Sequence, residues 1–166
     1  MINNLLFKLA GNLPCRIIEL DSGPYLERYY VGNVLGVTFY LHRFVSSDSE
    51  EHIHNHPWEW GRSVILTGSY IEETICDFSA DGLITDKKRR RWLNRVDGNT
   101  FHRIHEAAPG TWSLFFHSPR AKIGGKSKGW GFLEKKKNGQ IEFVPAESAT
   151  LRWWEEAPKG KEIERS

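Results

Sequence analysis

The sequence is poor in cysteine, in long apolar runs and in net charge. Cys15 and Cys76 are its two cysteines. One pair is too sparse for a disulfide framework or a thiolate zinc site, and this usage fits a reducing compartment. Neither has an activating base beside it in sequence, which argues against a thiol nucleophile. No stretch approaches the roughly 20 apolar residues of a membrane span. The first 13 residues hold neither a basic leader nor a long apolar run, so a cytoplasmic protein with no membrane contact is expected. The 23 basic and 21 acidic residues leave a net charge of +2, which supplies no general field for nucleic acid or a membrane surface. The runs Lys87-Lys88-Arg89-Arg90-Arg91 and Lys135-Lys136-Lys137 abut turns and read as solvated surface rather than a nucleic-acid contact. Neither a glycine-rich phosphate loop nor a Gly-x-Ser-x-Gly elbow is present.

What the chain has is aromatic residues and turn signals. Seven Trp, nine Phe and five Tyr in 166 residues favour strands. About ten short apolar or β-branched runs follow one another. Asp21-Ser22-Gly23-Pro24, Gly32-Asn33, Thr67-Gly68-Ser69, Ser79-Ala80-Asp81-Gly82, Asp97-Gly98-Asn99 and Lys135-Lys136-Lys137-Asn138-Gly139 separate them. Residues 5–10 read as a short helix or a first strand. The pattern predicts one all-β domain over residues 1–166, a jelly-roll β-barrel with short irregular extensions. Its core spans about residues 16–145, and a charged tail frays from about residue 155.

Seven histidines occur: His42, His52, His54, His56, His102, His105 and His117. In an extended segment, alternate side chains share a face. His52, His54 and His56 therefore point one way, and two imidazoles at i and i+2 can reach one ion. Clustered imidazoles repel when protonated, and neutral imidazole is a good ligand for Fe, Mn, Ni, Co or Zn.

Residues 52–68 and 97–110 resemble the two signature segments of the cupin superfamily, a group of jelly-roll barrels. His54-x-His56 stands at the family's usual distance from Gly68, and Asp97-Gly98-Asn99-Thr100-Phe101-His102-Arg103 matches the second segment in outline. His-Asn-His-Pro-Trp also resembles a subgroup of bacterial and phage cupins. The resemblance covers about residues 34–134. It implies a divalent metal on His54, His56 and His102, with His52 and Glu59 as further candidates. The chain departs from the family pattern at Gly61, which stands where the family has a glutamate.

Glu59, Tyr70 and Arg91 are the candidate catalytic residues. Trp58, Trp60, Tyr70 and Phe115 are the candidate pocket wall, which Glu72 and Thr74 would share by parity. Arg43, Arg62 and Arg103 are weighed as anion contacts, and by parity Arg103 and His105 should face away from His102. Trp112 and Phe116 read as core. A metal site without a protein carboxylate keeps open positions. The resemblance permits a metal-dependent Fe(II)-type oxygenase acting on a small polar or anionic molecule, which is the function expected. A non-oxidative sugar-type isomerase or epimerase is the alternative. So is a non-catalytic binding or assembly module, a homodimer through strand edges among its forms.

Overall fold

The computed structural model describes residues 2–20, 22–46, 53–79, 82–136, 139–146 and 152–165. Helix α1 (Ile2–Ala10) precedes thirteen strands: β1 (Cys15–Leu20), β2 (Gly23–Val34), β3 (Val37–Phe44), β4 (Trp60–Thr67), β5 (Tyr70–Ser79), β6 (Gly82–Arg90), β7 (Leu93–Asp97), β8 (His102–Ala107), β9 (Trp112–His117), β10 (Lys122–Ile123), β11 (Lys126–Ser127), β12 (Gly131–Lys135) and β13 (Ile141–Pro145). One sheet runs β1-β2-β3-β9-β4-β7. The other runs β6-β5-β8, and bridges from His54 to His102 and to Phe132 join it to the β12-β13 hairpin. All named strand pairs are antiparallel, as the alternating pattern and turn signals predict.

Two boundaries differ from the sequence reading. Gly32-Asn33 does not end β2. The register shifts between Tyr30 and Gly32, so the glycine marks a β-bulge inside a longer strand. The hairpin turn is Leu35-Gly36, both with positive φ (50° and 84°), the conformation of a two-residue turn matched to strand twist. The stretch between the turn signals at 79–82 and 97–99 is not one continuous strand either. It breaks at Arg91-Trp92 into β6 and β7, which are edge strands of different sheets.

Direct cross-strand partners share a face, so register shows what each face of the larger sheet carries. Arg28, His42, Ser113 and Ile65 form one row across β2, β3, β9 and β4. Tyr30, Tyr40, Phe115, Ser63 and Asn94 form the next. This face turns inward. Its closed end is an apolar cluster of Tyr25, Leu26, Phe44, Ile65, Tyr70 and Ala107. The opposite face packs Cys15, Tyr29, Leu41 and Trp112 against Leu6 and Ala10 of α1. Trp112 is fully buried, stacked on Tyr29 at 5.7 Å and edge-on to Phe7 at 5.2 Å.

The C-terminal segment is tied down, in contrast to the fraying expected from its charge. Cys15 N donates to Pro158 O, Gly160 N to Leu13 O and Lys161 N to Gly11 O. Gly160 is buried against Ala10 O and the Tyr29 ring. Arg165 reaches Glu27 Oε1 at 3.0 Å, the Tyr29 hydroxyl at 3.0 Å and Gly160 O at 2.9 Å. Glu27 is 3% exposed and also binds Arg43 at 2.9 Å. Its need for cations helps to hold the tail, together with Ile163 packed on the core and Trp154 stacked on Tyr30. Truncation after residue 156 is expected to cost about 2 kcal/mol, the scale of hydrogen bonds to a charged group. It would also uncover Cys15, whose thiol burial first, then Glu27, pushes up to about 11. Thiol titration of native protein checks this: one reactive cysteine (Cys76, exposed) in the full chain, two in the truncated one.

Candidate metal centre

His54 and His102 face each other across an antiparallel bridge, His54 N to His102 O and His102 N to His54 O, both 3.0 Å. Their side chains therefore share a face. His56 lies two residues on in extended backbone and returns to that face. His56 N to Gly98 O (3.2 Å) and Gly98 N to Glu59 O (2.8 Å) pin this segment to the β7–β8 turn. A Cβ on Gly98 would stand 1.6 Å from Trp58 O, so the approach requires glycine. The result is one group in which the ligand atoms of His54, His56 and His102 lie within 4.8 Å of one another.

His56 Nε2 and His102 Nε2 are 2.8 Å apart. Nitrogens bound about 2.0–2.1 Å from one ion stand roughly 3 Å from each other at right-angled coordination, so small ring rotations fit the pair to a metal. Without a cation, one of the two must carry a proton to approach this closely. A bound ion displaces that proton.

Glu72 orients the cluster from behind. Its Oε1 accepts from His102 Nδ1 at 2.8 Å and from Asn94 Nδ2 at 2.8 Å. Its Oε2 takes Arg90 Nε at 3.0 Å. The carboxylate is 2% exposed. Burial would raise its pKa, but the hydrogen bond and charge of His102, the Asn94 amide and Arg90 outweigh it and hold the pKa below the usual range. An ionised carboxylate only accepts, so His102 Nδ1 carries the proton and Nε2 keeps its lone pair for the cluster. Burial first, then its neighbours His54 and His102, and also Arg28 and His117, lower the pKa of His56 well below the ordinary value. That keeps His56 in its neutral, ligating form.

Trp58 forms the inner wall. It stacks on His56 at 4.1 Å and 12°, and lies 5.9 Å from Phe115 and 5.8 Å from His117. Its ring covers Gly61, where an added Cβ would meet Trp58 Cη2 at 2.7 Å and Phe115 Cε2 at 3.1 Å. The Trp58 indole thus fills the space beside Gly61, leaving none for a larger side chain there. The one carboxylate hydrogen-bonded to the cluster, among the described residues, is Glu72.

The other sequence candidates fall as follows. Phe115 lies on the inner wall, 5.2 Å from His42. Trp60 does not line the pocket: alternation turns it to the outer face, against Phe116 and beneath Arg62. Tyr70 belongs to the closed apolar end. Burial, outweighing hydrogen bonds to Ser63 and Asn94, pushes its hydroxyl to about 12. Glu59 is exposed and stands outside the histidine group. Arg91 is exposed in the β6–β7 turn. Arg43 is on the outer face with Glu27. Arg103 and His105 face away from His102, with Glu73. His52 lies outside the described residues. Two inward cations that sequence reasoning did not single out are Arg28 and Arg90. Pairing β2 with β3 by parity with His42 is the signal that exposes Arg28, and the bulge at Tyr30/Gly32 hides it from simple counting.

No family model matches the chain, and no curated protein sequence matches it. Among solved structures it is similar to KdgF from Halomonas sp. (15% identity, TM-score 0.44, 64% of this chain and 88% of that one). It is also similar to Fe(II)-HppE with the alternative substrate (S)-1-HPP (11%, 0.46, 64% and 55%). A third is a variant of oxalate decarboxylase from Bacillus subtilis (12%, 0.47, 71% and 30%). The chain thus spans about half the length of the second and under a third of the third. No helix of the described residues is long and apolar enough to cross a membrane. Antiparallel sheets, with the histidines of the two segments singled out in the sequence gathered at one point, give the all-β jelly-roll architecture that the sequence pattern predicts.

Proposed function

We propose that the chain is a metal-dependent oxygenase of Fe(II) type, holding its ion on His54, His56 and His102 and acting on a small polar or anionic molecule. The observation that carries this reading is the donor set: among the described residues, three imidazoles with no carboxylate among them, and one ligand fixed from behind by Glu72. When bound, the ion would supply Lewis acidity and open positions for substrate and dioxygen. The protein's part is to present neutral imidazoles and to keep water away. His102 is locked in one tautomer by Glu72. Trp58, Phe115 and His117 wall the inner side with rings, and Trp130 and Phe132 approach His54 on the other.

The test is dioxygen uptake by anaerobically Fe(II)-loaded protein, offered a panel of small hydroxy acids, oxo acids and phosphonates. Uptake that depends on one member of the panel and disappears in His56→Ala is expected. Iron-loaded protein that consumes no dioxygen with any member, yet isomerises a sugar derivative at an equal rate without metal, would overturn the reading.

A further inference from the structure

The inner face carries one cationic feature that the metal cluster does not use. Arg28 donates from Nε to His42 Nε2 at 3.1 Å, and its guanidinium lies 5.5 Å from the centre of the Tyr40 ring. His42 is 7% exposed. Burial first, then Arg28 and His117, drive its pKa well below the ordinary value, so it stays neutral and serves as the acceptor that aims the arginine. Around this pair stand Tyr40, Phe115 and His117, ring against ring: Tyr40–His42 at 6.1 Å, His42–Phe115 at 5.2 Å and Tyr40–His117 at 5.9 Å. Phe115 and His117 each also meet Trp58, which stacks on His56. The arginine and the histidine cluster thus share one aromatic wall, and the Arg28 charge acts on His56, His42 and His117 alike.

A second observation points the same way. Ser113 stands directly opposite His42 in the β3–β9 pairing, hence on the same inward face. It is 1% exposed, and its Oγ is buried without a hydrogen-bond partner. A buried hydroxyl left unpaired costs about 1–3 kcal/mol, and such a group is normally satisfied by a bound polar partner. Arg28, His42 and Ser113 form one continuous row from β2 to β9.

We infer that Arg28, aimed by His42, is the binding site for the anionic group of the substrate, a carboxylate or phosphonate, on the inner face beside the metal cluster, with the Ser113 hydroxyl a further polar group of the same row beyond His42. Guanidinium matches the two acceptor oxygens of such a group, and ring walls strengthen the contact by excluding water. The inference deepens the oxygenase reading by naming the substrate class. The anion contact itself depends on Arg28 rather than on a bound ion.

Calorimetric titration of metal-free protein with malonate and with methylphosphonate tests it, and the two probes separate carboxylate from phosphonate preference. Saturable binding to wild type is expected for at least one. Arg28→Met should weaken it by about tenfold or more, the scale of one charge-assisted hydrogen-bond pair, with Arg28→Lys recovering part. Metal content should be the same in all three. No saturable binding of either anion to wild type, or equal binding by Arg28→Met, overturns the inference. If Arg28→Met does not fold, anion protection of Arg28 from phenylglyoxal in the wild-type chain, read by peptide mass, decides: protection supports the site, and unchanged modification overturns it. Metal loading of the wild-type chain separates the two readings. Anion binding by a wild-type chain that takes up no metal sinks the oxygenase and leaves the Arg28 site standing, whereas His102→Ala should lose its metal and keep the anion.

Discussion

Replacing Gly61 with glutamate should destabilise the protein strongly instead of supplying a fourth ligand. Position 61 is where the cupin pattern has its carboxylate, so sequence comparison alone recommends the change. The geometry opposes it. A β-carbon there already stands 2.7 Å from the Trp58 ring and 3.1 Å from Phe115, and both rings are themselves held, Trp58 by His56 and Phe115 by His42. Overpacking costs about 1–3 kcal/mol, and a buried carboxylate displaced from water adds to that. The sum is about 3 kcal/mol or more, a fall in Tm of roughly 6–12 °C for a chain of this size. Gly61→Ala should show the packing part alone. The decisive variant is the double change Trp58→Ala with Gly61→Glu. Removing the indole opens the space, so the double mutant should be more stable than the sum of the single changes predicts by about 1–3 kcal/mol, and it should bind metal more tightly than Trp58→Ala. Strict additivity would show that Trp58 does not occupy the glutamate's place.

Changes at Glu72 should separate stability from metal affinity. Glu72→Gln keeps shape and a hydrogen-bond acceptor but removes the charge that fixes the His102 tautomer. Metal affinity should fall about 10–100-fold, the usual loss when a ligand's supporting carboxylate goes, with a smaller loss of stability than Glu72→Leu. Glu72→Leu strands more. Arg90, 29% exposed, and the buried Asn94 amide both lose their acceptor. The cost should approach 3 kcal/mol, the low end for a broken buried pair, because Arg90 keeps some access to water. Metal titration and chemical denaturation on both variants check the split. Equal metal affinity in wild type and Glu72→Gln would remove Glu72 from the site.

These two residues also mark how far the sequence could be read. The all-β pattern, the hairpin at Gly139 and the opposition of His102 to Arg103 follow from alternation and turn chemistry, which are local. So does the grouping of His54 with His56. The pairing of His54 with His102 across a bridge is not local. It depended on the family resemblance, and the structure supplies its reason in the antiparallel backbone exchange. Glu72 shares a parity with Tyr70 and Thr74 and was legible only as pocket wall. What singles it out is a diagonal contact with His102 on β8, whose direct partner is Thr74, next to a register shift between Ile71 and Glu72 that counting along one strand does not see. Arg28 was hidden in the same way by the bulge in β2. Trp60 was misplaced for the opposite reason: it sits next in alternation to Trp58, but β4 begins at Trp60 and sends it outward. The tail was read from its charge, and a buried Glu27 on another element explains how charge helps to hold it.

The central claim is that His54, His56 and His102 hold a divalent ion. Elemental analysis of protein purified without added metal, beside His54→Ala and His102→Ala, tests it most directly. The account predicts about one transition-metal ion per chain in wild type and loss of most of it in both variants. The same metal content in all three proteins would contradict it.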